Sequence, residues 1–124
     1  MIVDINMPAR RYLPTGDDPM NDRELLELAA KAAGIGPVIG FEDGNLVIGP
    51  RKFARYWNPL TDDGDALRLA VMLRLDVSIN RDIQVAWWHG DSLEFVTESL
   101  GNDHLAAVRR AIVRAAAEIG RATP

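Results

Sequence analysis

Four adjacent residues, Arg55-Tyr56-Trp57-Asn58, bring a cation, two aromatic rings and a side-chain amide together. Such a set could line a pocket for a small, nucleotide-like ligand, with a ring to stack on and polar groups to orient it. The competing reading is structural. Trp57 would anchor a helix to a sheet, and Asn58 would satisfy backbone groups in the turn before Pro59. Buried aromatics dominate cores of this size, which favours the structural reading.

Asp62, Asp63 and Asp65 could ligate magnesium or calcium through carboxylate oxygens. They lack the ligand pattern of an EF-hand loop, and capping of a helix N-terminus explains them with fewer assumptions. His89 falls in a turn signal and His104 at a helix start, and neither has a partner at a spacing that suggests a general base. Ser78, Ser92 and Ser99 lack a nucleophile-elbow context. Gly34-Ile35-Gly36-Pro37 follows a helix and precedes a strand, the reverse of the order that aims helix amides at a phosphate. The chain has no cysteine, which removes disulfides, zinc-thiolate sites and thiol nucleophiles. These residues point to no catalytic group, metal or cofactor.

Two further features could serve recognition. Trp87 and Trp88 are adjacent on a predicted strand, so their rings point to opposite sides of a sheet. Either both sides are covered or one indole is left for a partner. Arg110, Arg114 and Arg121 lie opposite the apolar stripe of the last predicted helix. They would form a basic ridge for phosphates or an acidic protein. A solvated helix face looks the same, and Glu118 partly neutralises the ridge.

The elements that position these residues follow from periodicity. Asn21 and Glu24 have capping-box spacing, and Leu25, Leu28, Ala29 and Ala32 recur at helical intervals, which predicts a helix over 22–33 closed by Gly34. Val38–Phe41 and Leu46–Ile48 flank Asp43-Gly44, a hairpin signal. Their apolar residues point to both faces, as in a sheet covered on both sides. A second helix is predicted over 62–74. Strands around 77–79, 83–88 and 93–98 form a meander. The longest helix is predicted over 104–119, capped by Asp103 and closed by Gly120. The expected fold is α+β, a three-layer α/β/α sandwich with an antiparallel sheet in the order α-β-β-α-β-β(-β)-α. Residues 1–19 are rich in proline and read as a tail, with one edge strand at Ile2–Ile5. Residues 20–121 form the domain, and Met20 is a candidate alternative start.

At 124 residues there is room for one domain and one core. The apolar content of 48% and charged content of 26% argue against wholesale disorder. A formal charge of −4 argues against nucleic acid as a partner, because duplex binders carry a basic balance. No apolar run approaches the ~20 residues that span a bilayer. With no signal core at the start, a cytoplasmic location in a bacterial host is expected. A homodimer would protect the sheet's edges.

The segment Trp57-Asn58-Pro59-Leu60-Thr61-Asp62-Asp63-Gly64-Asp65-Ala66-Leu67 resembles the phage ABA sandwich family, small phage and prophage proteins with a sheet between helices. Asn21-Asp22-Arg23-Glu24-Leu25-Leu26 and residues 109–120 are similar to the family's first and last helices, so the resemblance spans residues 20–121. It implies the fold and a phage origin and carries no catalytic residues. The function it implies is a non-catalytic binding or inhibitor module acting on a host or phage protein, host defence included. The alternatives are a ligand-binding protein or enzyme with its site at Arg55, Tyr56, Trp57 and Asn58, and a nucleic-acid binder using the last helix.

Overall fold

Polar residues at the helix starts fix where each helix begins. The computed structural model describes residues 10–13 and 20–124. Helix α1 (Asp22–Ala33) starts at Asn21, whose Oδ1 accepts from the Glu24 amide at 2.9 Å and whose Nδ2 donates to Glu24 Oε1 at 3.0 Å. It ends at Gly34, in the left-handed region at φ 68°. Helix α2 (Asp63–Met72) starts at Asp62, which accepts from the Asp65 amide at 2.8 Å. Helix α3 (His104–Ala122) starts at Asp103, which accepts from the Ala106 amide at 3.0 Å. Each cap satisfies an amide that the helix itself leaves unpaired.

The strands fall into two sheets rather than one. In the first, β2 (Val38–Glu42) and β3 (Asn45–Ile48) form the expected hairpin, turning at Asp43 and Gly44 with φ 54° and 82°. Two consecutive positive φ angles match the tight turn whose twist suits a hairpin. A third strand, β4 (Arg55–Trp57), pairs antiparallel with β3, in a stretch whose sequence gives no strand signal. Leu46, Ile48 and Trp57 are buried from this sheet. The expectation that its strands are covered on both faces does not hold. Val38 and Ile39 are both exposed, and the register shifts between Val38 and Gly40, so the unbroken apolar run reflects an irregular strand.

The second sheet contains the predicted meander: β5 (Asp76–Ile79), β6 (Asp82–His89) and β7 (Ser92–Ser99), all antiparallel. Strand β1 (Arg10–Leu13) joins the β7 edge in parallel, so the order is β1-β7-β6-β5 and the sheet is not wholly antiparallel. The strand expected at Ile2–Ile5 lies outside the described residues.

Helix α3 is the hub of the molecule. It contacts α1, α2, β6 and β7, and every residue from Ala111 to Ala117 is buried. A helix buried all round is a core helix, not an amphipathic surface helix. Its small residues permit this. Alanines 111, 115, 116 and 117 let neighbours approach, and Gly120 sits against the backbone of Leu28 in α1. Gly120 was expected to close the helix, but α3 continues to Ala122 and the glycine marks the helix crossing. The result is the expected α+β class, three helices with strands that pair antiparallel except for β1.

Candidate functional site

Strands β6 and β7 divide their residues between two faces by simple alternation. Ile83, Val85, Trp87 and Val96 point to the core side and are buried. On the opposite face the register places Trp88 beside Leu93, Ala86 beside Phe95 and Gln84 beside Thr97, with Ser78 of β5 next to Gln84. Trp87 is closed off in the core, whereas Trp88 is 61% exposed. Of the two outcomes for the tryptophan pair, the structure shows the one that leaves an indole in solvent.

This outer face has two ends. One is apolar, with Trp88, Leu93 and Phe95. The other is polar, an open cleft lined by Ser78, Asn80, Arg81, Asp82, Gln84 and Thr97. An exposed indole on a rigid sheet offers a broad flat contact and one N–H donor, and amide, hydroxyl and charged groups lie further along the strands. Sequence reasoning singled out Trp88 and missed the rest of the face. The period-2 alternation that places Gln84, Ala86 and Trp88 together is the signal that identifies it.

The Arg55-Tyr56-Trp57-Asn58 set is not brought to one surface. Trp57 is 2% exposed, packed in the core cluster with Leu46 and Leu69. The Asn58 side-chain amide donates to the Gly44 carbonyl and to Asn45 Oδ1, both at 3.0 Å, and its Oδ1 accepts from the Leu60 amide at 3.0 Å. The Asn58 backbone amide donates to Asp65 Oδ2 at 3.0 Å. Asn58 thus locks the β2–β3 turn to the first turn of α2, and its side chain is fully engaged there. Arg55 and Tyr56 are exposed. Partial desolvation by its neighbours and the nearby carboxylates of Glu42 and Asp43 raise the exposed Tyr56 phenol above its usual value.

The acidic group at the start of α2 is used internally. Asp62 caps the helix, Asp63 receives Arg109 Nη1 at 2.7 Å, and Asp65 Oδ1 receives Arg68 Nη2 at 2.8 Å. Among the described residues no group of three or more His, Asp or Glu could hold a metal ion. His89 and His104 are both exposed.

The predicted ridge of Arg110, Arg114 and Arg121 is not a ridge, because α3 has neighbours on the side where solvent was expected. Arg114 is 6% exposed and bridges to β7, donating to the Thr97 carbonyl at 2.8 Å and to Glu98 Oε2 at 3.1 Å. Arg110 donates to Asp22 of α1 at 2.9 Å. Arg121 lies 3.6 Å from Glu118 and contacts Met20 Sδ. These arginines fasten α3 to its surroundings.

No family model, curated protein or solved structure matches this chain. Among the described residues no helix is long and apolar enough to cross a membrane.

Proposed function

We propose that the chain is a non-catalytic binding module of the phage ABA sandwich kind, which acts on a host protein through the outer face of the β5–β7 sheet. The resemblance at residues 57–67 supports the class. The exposure of Trp88 supports the face, and it is the observation that carries the proposal. A tryptophan left 61% exposed at the apolar end of a sheet face is well suited to anchor a partner. Asn58, Asp65, Arg109 and Arg114, by contrast, are committed to holding the fold.

The experiment compares capture from a bacterial host lysate by the tagged chain and by Trp88→Arg. Removing an exposed side chain changes stability by only about 0.5 kcal/mol, so loss of binding reads recognition and not unfolding. A specific partner, identified by mass spectrometry, is retained by the unaltered chain and lost by Trp88→Arg. Its indole emission shifts to shorter wavelength when the purified partner is added. Equal retention of the same proteins by Trp88→Arg refutes the assignment of this face.

A further inference from the structure

The arginines of the helices are all engaged: Arg23 with Glu27, Arg68 with Asp65, Arg109 with Asp63, Arg110 with Asp22, Arg114 with Glu98 and Arg121 with Glu118. The segment that joins β3 to β4 is different. Arg51, Lys52 and Arg55 fall within five residues, and none of them makes an ion pair or side-chain hydrogen bond among the described residues. Between them Phe53, at the end of a short 3₁₀ turn (Arg51–Phe53), is 78% exposed. Every residue from Pro50 to Tyr56 is exposed. Three uncompensated cations therefore flank, along the chain, a largely solvated ring in a protein whose net charge is −4.

This combination selects its ligand by two kinds of chemistry at once. The cations favour a polyanion, and the exposed ring favours a flat, stackable group. Single-stranded nucleic acid supplies both. We propose that residues 51–55 form a binding site for single-stranded nucleic acid, in which Phe53 stacks on a base while Arg51, Lys52 and Arg55 contact phosphates. An acidic polypeptide would satisfy the cations but leave the ring unused. An anionic membrane would call for large aliphatic groups beside the ring; the segment between Pro50 and Trp57 exposes none, and the exposed aliphatics of this sheet, Val38 and Ile39, belong to β2. The site is short. It ends at Tyr56, close to Glu42 and Asp43 of the acidic β2–β3 turn, where a further phosphate would be repelled. The unfavourable overall charge argued against nucleic acid. That argument treats the charge as spread evenly, whereas the arginines of the three α-helices are ion-paired and three cations without an ion pair fall within five residues here.

Three phosphate contacts on a single strand give a slope of about −2 in log affinity against log salt, hence about 20-fold weaker binding between about 50 and 200 mM salt. The test is fluorescence anisotropy of a short labelled oligothymidylate titrated with the full chain, with folding of each variant checked by circular dichroism. Saturable binding with that salt dependence is expected. Phe53→Ala should weaken it about tenfold through loss of stacking, Arg51→Glu with Lys52→Glu should abolish it, and Trp88→Ala should leave it unchanged. Absence of binding at low salt overturns the proposal, as does Phe53→Ala binding with unaltered affinity. Equal competition by polyglutamate, or capture by anionic vesicles in place of the oligonucleotide, also overturns it.

Discussion

Replacing Gly120 with alanine would improve local helix propensity by roughly 1 kcal/mol, so on propensity alone Gly120→Ala stabilises α3. The packing argues the opposite. A Cβ at position 120 would overlap the carbonyl oxygen of Leu28 and stand 2.8 Å from its carbonyl carbon. Non-bonded carbons prefer about 3.5–4.0 Å, so α1 and α3 must part by roughly 1 Å, and a gap of that size forfeits about a quarter to a half of each contact's attraction. The obstacle is backbone and cannot rotate aside. Overpacking of this kind costs about 3 kcal/mol, at the upper end of the usual range. Subtracting the propensity gain leaves a loss of about 2 kcal/mol, or about 8 °C in Tm for a chain of this length. Thermal and urea unfolding followed by circular dichroism measures both quantities. A variant with Tm equal to or above that of the unaltered chain would refute the reasoning, because it would mean that the α1–α3 crossing is not close at Gly120.

Two other perturbations test the fold around the candidate sites. Asn58→Ala removes two side-chain hydrogen bonds to the β2–β3 turn and one from the Leu60 amide while keeping the backbone bond to Asp65 of α2, so a loss of about 2–4 kcal/mol is expected in urea unfolding; a loss below about 1 kcal/mol on that scale would show that the side-chain part of the lock is dispensable. Tyr56 holds its proton more tightly in the folded chain than the usual value of 10.0 allows. Stability is therefore unaffected by this group below pH 10 and falls as pH rises through the higher folded-state value. Tyr56→Phe should abolish that alkaline decline, and ultraviolet titration should show the loss of a phenol that ionises above pH 10.

What the sequence discloses here depends on how local the governing physics is. Asn21, Asp62 and Asp103 are readable as caps because a cap is a contact within three residues of chain. The opposition of Trp87 and Trp88 is readable because alternation is a property of any strand. Which of the two is exposed is not readable, since it depends on where α3 packs. The burial of α3 is hidden for a similar reason. Alanine lines core and surface equally well, so a helix rich in it shows one stripe of large residues even when all its faces are covered. The burial of Arg114 follows from that packing. Strand β4 has three residues, too few for a period, and exists because β3 offers it an edge. The Asn58 lock combines short- and long-range contacts, and only its link to Leu60 within the Asn58-Pro59 turn is visible from sequence spacing.

The commitment of most charged side chains to internal contacts narrows where recognition can occur. A buried arginine such as Arg114 is retained only with its partners in place, because removing one partner strands a charge in a poorly solvated site. The helices are held in this way, and α3 has no free basic face to present. The two rings assigned to recognition then stand on separate elements: Trp88 on β6, and Phe53 in the turn that feeds β4. Because they share no strand and no hydrogen-bonding partner, substitutions at the two positions should act independently. Loss of protein capture through Trp88→Arg and loss of oligonucleotide binding through Phe53→Ala are therefore separate observations. Either proposed surface can fail without taking the other with it.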